Sequence, residues 1–213
     1  MADDIDDIIA GNTKFKRAFE ADKAFYQGLA AAKQTPKLLW IGCADSRVDP
    51  AQIIGAGLGD IFVIRNIANI VPPANSGDDS VGAAIEYALN HLEVDDIVVC
   101  GHAGCGGVKA LSSALPLSEA HLNRWVDFAR VSHALIEAAK LPEQDQLDAT
   151  IKANVLFQQD RLFTYPAVLQ AYAAGKLRIH GWFYDMLTAD LLAYDERFGD
   201  WRPLGEAKPK GGV

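Results

Sequence analysis

The 213-residue chain has only three cysteines and two methionines. Three cysteines is an odd number and too few for a disulfide-stapled scaffold. They are read as thiols or metal ligands in a reducing compartment, the cytoplasm. No two of them form a Cys-x-x-Cys pair, so a dithiol redox motif is excluded. The chain also lacks any apolar run long enough to span a bilayer, so no membrane association is expected. It opens Met1-Ala2-Asp3-Asp4-Ile5-Asp6-Asp7, acidic where a secretory or transit peptide is basic, so neither is expected. Lys/Arg clusters are missing, and with a net charge of −8 nucleic acid and anionic membrane are not expected partners. No internal repeat or linker divides the chain, and residues 1–213 read as a single domain.

Half of the residues are hydrophobic and 23% are charged, the composition of an ordinary globular protein. Residues 1–32 read as helix, with Phe15, Phe19, Tyr26 and Leu29 near helical spacing among many polar neighbours. This segment precedes the first strand and reads, up to residue 35, as an arm that needs another surface to pack on. Short apolar runs at 37–43, 60–65, 96–102 and 177–184 read as strands, with a further one at 191–194. Helices are expected over 78–92, 118–139, 144–160 and 166–174. The tail from 199 to 213, with its Gly, Pro and Lys, reads as loose. Buried strands alternating with helices predict an α/β fold with a mainly parallel central sheet flanked by helices. In such sheets a ligand site lies beyond the carboxyl ends of strands, at a switch in strand order.

Cys43 and His102 end two of those strands. His102-Ala103-Gly104-Cys105 is a His-x-x-Cys pair whose spacing lets both side chains converge on one ion, and Cys43 is the natural third ligand. Two thiolates and one imidazole suit Zn²⁺, and three protein ligands leave the fourth tetrahedral position of a catalytic site. Cys100 reads as a buried small hydrophobe within its strand. Asp45 and Arg47 share the loop after Cys43. They read either as a salt bridge capping the helix that starts near Pro50, or as an acid held ionised beside the metal.

Cys43-Ala44-Asp45-Ser46-Arg47 and Gly101-His102-Ala103-Gly104-Cys105-Gly106-Gly107 resemble the two signatures of β-class carbonic anhydrases. Arg65-Asn66-Ile67-Ala68-Asn69, Ala83-Ala84-Ile85-Glu86-Tyr87-Ala88 and His180-Gly181-Trp182-Phe183-Tyr184-Asp185 fall in that family's order, so the resemblance runs from Gly11 to Tyr194. It implies a carbonate dehydratase, a zinc lyase that interconverts CO₂ and bicarbonate through hydroxide on zinc. One Zn²⁺ per chain would be held by Cys43, His102 and Cys105, with the Asp45–Arg47 dyad orienting the hydroxide. It also implies an N-terminal arm packed on a partner subunit, in a homodimer or a dimer of dimers. The substrate cleft at that interface would be lined by Gln34, Phe62 and Tyr87 from one subunit, with Ile67 near the zinc of the other.

Some members of the family carry a second, inhibitory bicarbonate site, and Trp40, Arg65 and Tyr184 occupy the corresponding positions. There Asp45 would leave Arg47 and become the fourth zinc ligand in a closed state. The competing readings of these three are a core indole, an interface ion pair and a packed aromatic. For the chain as a whole, the alternatives are a CS₂ or COS hydrolase on the same scaffold and a non-catalytic zinc- or bicarbonate-binding protein. A nucleotide-binding loop at Gly101–Gly107 would leave His102 and Cys105 without a role.

Overall fold

The structure is a computed structural model and describes residues 5–112, 115–206 and 210–211. It divides into two compact units, Met1–Thr35 and Pro36–Val213.

The first unit is two helices, α1 (Ile5–Ala21) and α2 (Lys23–Ala31), where one continuous helix was expected. The break is at Asp22, whose carboxylate caps α2 by accepting from the Phe25 N–H. Phe15, Phe19 and Phe25 gather around the ring of Tyr26. Neither helix buries a residue, and Ile5, Ile8 and Ile9 are each more than 60% exposed.

The second unit runs β1 (Leu38–Cys43), α3 (Pro50–Ile54), β2 (Ile61–Asn66), α4 (Asp79–Asn90), β3 (Asp96–His102), α5 (Gly106–Lys109), α6 (Ala120–Val126), α7 (Arg130–Ala139), α8 (Glu143–Leu162), α9 (Pro166–Ala173), β4 (Arg178–Tyr184), β5 (Leu191–Asp195), β6 (Asp200–Pro203) and β7 (Lys210–Gly211). The strand order is β2-β1-β3-β4-β5-β6, with β7 beside β4. The first four strands are parallel, and β5, β6 and β7 pair antiparallel. After β2 the chain returns to the other side of β1 to place β3. The order therefore switches between β1 and β3.

Apart from their half-buried first residues, β1 and β3 are buried throughout, which is why they read as continuous apolar runs. Leu39, Ile41, Ile97, Val99 and Ile179 form one core with Ile85, Val155, Leu162 and Val168 of the helices. Trp40, Val98, Cys100 and Trp182 form another on the opposite face of the sheet. Helix α8 lies directly on β3 and β4 because glycines let it approach. A Cβ on Gly101 would come within 2.8 Å of Ile151 and Val155, and one on Gly181 within 2.7 Å of Gln159.

Two expectations are corrected. The helix expected over 118–139 is broken into α6 and α7 by a tight turn at Asp127–Ala129, because Val126 and Ala129 turn into the core together. The tail from 199 is not loose over 200–203. There β6 pairs with β5, and Trp201 packs against Phe183 and Tyr194. The Gly/Pro/Lys composition hid one anchoring indole. Residues 207–209 and 212–213 of the tail lie outside the described residues. No helix among the described residues is long and apolar enough to cross a membrane.

Candidate metal centre

Cys43 ends β1, His102 ends β3, and Cys105 follows in the turn that opens α5. Parallel pairing sets Gly42 beside Cys100, so the two strand ends finish side by side at the switch point. The ligand atoms of Cys43, His102 and Cys105 lie within 4.8 Å of one another, and all three residues are buried. The two sulfurs are 3.7 Å apart. No other group of three or more such side chains converges in this way among the described residues.

The donor atoms are prepared for a cation. His102 Nδ1 lies 3.0 Å from the Ala103 carbonyl oxygen, a contact that only an Nδ1–H can satisfy. Its Nε2 then carries a lone pair, and this buried atom finds no hydrogen-bond partner among the described residues. The Cys43 thiol is held below its ordinary range, first by the neighbouring Cys105 sulfur, which outweighs burial, with the nearby His102 ring and backbone acting the same way. The Cys105 thiol is pushed up by the same sulfur neighbour and by burial. Two sulfurs 3.7 Å apart beside an unpartnered imidazole nitrogen fit a tetrahedral thiophilic ion such as zinc. Cys100 stays apart, in the core around Trp40, and burial pushes its thiol up.

Asp45 and Arg47 meet in a closed local ring. Arg47 donates Nε to Asp45 Oδ1 at 2.9 Å, Nη2 to Oδ2 at 2.7 Å, and its backbone N–H to Oδ1 at 3.0 Å. This guanidinium holds the carboxyl well below the usual carboxylate range. The ring does not cap α3; Asp49 does, accepting from the N–H groups of Ala51 and Gln52. Asp45 Oδ2 instead stands 3.9 Å from His102 Nε2. Asp195 and Arg197 form the same ring with Asp195 fully buried, so an Asp-x-Arg sequence closes on itself without a metal nearby. What distinguishes Asp45 is its neighbour.

The other expected residues scatter. Phe62 and Tyr87 pack together with ring centroids 5.9 Å apart, and the His91 ring lies 5.0 Å from that of Tyr87. Ile67 is partly exposed and lines an open cleft of about 610 Å³ with Ala44, Arg65, His121 and Trp125. Gln34 is exposed and belongs to the N-terminal unit. Register puts Trp40, Arg65 and Tyr184 on one face of the sheet, on β1, β2 and β4. Trp40 is fully buried, meets Trp182 edge-on at 5.6 Å, and its indole N–H has no partner among the described residues. Arg65 donates Nε to the Cys43 carbonyl at 3.0 Å and Nη2 to the Asp45 carbonyl at 2.5 Å, so it also braces the loop that carries both.

Sequence reasoning missed the turn after β2. Ala68 and Asn69 both have positive φ, 62° and 48°. Asn69 is a residue that tolerates such a backbone, but no glycine, its usual sign, stands beside it.

The sequence profile of the carbonic anhydrase family matches residues 38–191. A carbonic anhydrase of Pseudomonas aeruginosa is 38% identical over 97% of this chain and 96% of its own. Among solved structures, the β-carbonic anhydrase CcaA superposes with a TM-score of 0.89 at 35% identity, covering 93% of this chain and 91% of that one. One of two tetrameric β-carbonic anhydrases from Sordaria macrospora superposes with a TM-score of 0.76 at 34% identity, covering 87% of this chain and 93% of the other. With a parallel sheet of the same architecture and a Cys-His-Cys donor set suited to the zinc that this class uses, the chain belongs to the carbonic anhydrase family, as a β-class enzyme, a carbonate dehydratase.

Proposed function

We propose that this chain interconverts CO₂ and bicarbonate at the Cys43–His102–Cys105 cluster, with the Asp45–Arg47 pair governing the proton on the attacking water. One observation carries the reading. Three buried donors converge, the imidazole nitrogen among them is unpartnered, and an ionised carboxylate faces the same volume at 3.9 Å.

Held by Cys43, His102 and Cys105, zinc would supply the Lewis acidity that makes water nucleophilic near neutral pH. The rest is done by the chain. The Ala103 carbonyl fixes the His102 tautomer. Arg47 keeps Asp45 ionised, so its Oδ2 can only accept a hydrogen bond. A water beside the donor set would give that bond to Asp45 and turn a lone pair toward CO₂. Two thiolates offset most of the ion's charge, so we expect activity to rise toward alkaline pH. Gln34, Phe62 and Tyr87 of one subunit would wall the CO₂ cleft against the Ile67 side of another.

A second reading concerns regulation. The unpartnered Trp40 N–H lies on the sheet face shared by Arg65 and Tyr184, a set of donors suited to a bicarbonate ion. We propose that bicarbonate held there would favour a closed state, with Asp45 released from Arg47 and bound as fourth ligand.

The unburied apolar faces of α1 and α2, together with the tetrameric Sordaria relative, support a homodimer or a dimer of dimers. We place the chain in the reducing cytoplasm, where Cys43 and Cys105 would stay available to a metal as thiols.

The test is stopped-flow CO₂ hydration from about pH 6.5 to 9, with zinc measured on the same sample. Activity rising with pH at one zinc per chain is expected. Full zinc with no CO₂ turnover would overturn the reading, and turnover of CS₂ or COS instead would move it to that hydrolase.

A further inference from the structure

Helix α8 carries a buried polar ladder that the reaction does not use. Asn154 and Gln158, one helical turn apart, are both completely buried. Gln158 Nε2 donates to Asn154 Oδ1 at 2.8 Å, and each then reaches the turn after β2. Asn154 Nδ2 donates to the Ala68 carbonyl at 3.0 Å, and Gln158 Oε1 accepts from the Val71 N–H at 2.9 Å. Two more side chains hold the same turn. Trp125 Nε1 donates to the Ile67 carbonyl at 2.9 Å, while the Asn66 amide clasps the Ile70 N–H and carbonyl, each at 2.8 Å.

That grip answers a local conflict. Ala68 and Asn69 are held in left-handed backbone, which an L-residue with a Cβ disfavours. Asn69 is fully buried with both amide atoms unpartnered among the described residues, so its own side chain does not hold the turn. The strained turn touches both sulfur-bearing segments. Ala68 packs in one buried cluster with Cys43 and Cys105. On the other side, a Cβ on Gly107 would come within 2.6 Å of Ile67 and 3.1 Å of the Ala68 nitrogen, so the start of α5, just after Cys105, rests on the same turn. A buried amide ladder costs more than an apolar one unless every member is satisfied. These two are joined to each other and to a backbone segment that needs restraint.

We infer that Asn154 and Gln158 are positioning residues for the metal centre: through the Ala68–Asn69 turn they set where Cys43 and Cys105 stand relative to each other. The inference rests on the Cys43–His102–Cys105 reading and deepens it.

The experiment compares Asn154→Leu with a control on the same helix, Thr150→Val, which removes a hydroxyl bonded to the Gln146 carbonyl and touches neither sulfur. Each chain is loaded with Co²⁺, and the thiolate-to-cobalt absorption is recorded; Zn²⁺ affinity is measured by chelator competition. Asn154→Leu is expected to shift the absorption and to weaken zinc binding about tenfold, with Thr150→Val unchanged at comparable thermal stability. If Asn154→Leu does not fold, Gln158→Met carries the test, since it removes only the Val71 bond and the link to Asn154. Asn154→Leu should also be rescued in part by Ala68→Gly, because glycine takes positive φ unaided. A folded variant with the unaltered cobalt spectrum and zinc affinity overturns the inference. The readout needs no CO₂: a wild-type chain that binds cobalt here yet hydrates no CO₂ overturns the proposed reaction alone, and one that takes up no cobalt overturns both.

Discussion

Asp45 Oδ2 lies 3.9 Å from His102 Nε2 while Arg47 holds both oxygens of the same carboxylate. Two lone-pair acceptors at that separation, one of them buried, are stable neighbours when a cation or a donor stands between them. The pair places the charge that orients water beside the atom that would bind metal.

Replacing Asp45 by Asn keeps the shape and removes the charge. The amide can turn an N–H toward the water, where only an acceptor serves. CO₂ hydration should fall by at least about a hundredfold, the low end of what a positioned proton acceptor contributes. Zinc content should stay at the wild-type level. Stopped-flow rates and metal analysis on one preparation check both, and a loss of zinc would show that Asp45 acts through binding instead.

Substituting Cys43, His102 or Cys105 by Ala should each abolish stoichiometric zinc, because removing one donor leaves two where a tetrahedral site needs three from the protein. Cys100→Ala, by contrast, should keep its zinc. It empties part of the core around Trp40 and should cost about 1 kcal/mol in a denaturation midpoint, the scale of a small buried deletion.

Acid sensitivity has a source far from the metal. Asp96 begins β3 and bonds His180 and both arms of Arg178. Burial pushes its carboxyl up, but these bonds outweigh it and bring the group down to about 2. A folded-state value below the unfolded one stabilises the protein above the unfolded value, and that contribution is lost as pH falls through the folded one. Wild type should therefore lose on the order of 2 kcal/mol between about pH 4 and pH 2 through this group. Asp96→Asn should flatten that window, as read by chemical denaturation at a series of pH values.

Bicarbonate inhibition separates Trp40 from Arg65. Trp40→Phe removes the indole N–H and little else, so inhibition should weaken several-fold while the uninhibited rate stays close to wild type. Arg65→Ala should weaken inhibition too, but it also frees the Cys43 and Asp45 carbonyls and should lower the basal rate. An inhibition curve identical to wild type in Trp40→Phe would remove the regulatory site from the reading.

Self-association through α1 is tested by Ile8→Glu. Ile5, Ile8 and Ile9 are exposed within the chain, so a charge at position 8 costs nothing in an isolated subunit. It should be expensive in a buried interface. Sedimentation should show smaller species, and CO₂ turnover should fall with them if the cleft forms between subunits.

Ligand chemistry was legible in the sequence because it is local. His102 and Cys105 lie three residues apart beside glycines, and the Asp45–Arg47 ring closes within a single loop, so spacing alone describes them. The buried strands were legible for a similar reason: Leu38–Cys43 and Ile97–Gly101 are apolar throughout, as strands covered on both faces must be. Where expectation failed, the signal was a packing event. Trp201 makes a strand of a segment whose composition reads as loose, and the joint burial of Val126 and Ala129 splits a helix whose apolar period is unbroken.

The tertiary structure alone decided how the pieces meet. Cys43 joins a pair 59 residues further along because β1 and β3 run parallel and adjacent at the switch in strand order, a register set by the whole sheet. The left-handed turn at Ala68–Asn69 is not set locally, since asparagine tolerates that backbone but alanine disfavours it. It exists because Asn154 and Gln158, 86 and 87 residues along from their backbone partners, bond to it from inside the core. A sequence states which side chains are available to a metal; distances of a few ångströms between residues far apart in the chain follow only once the sheet has closed and α8 has packed across it.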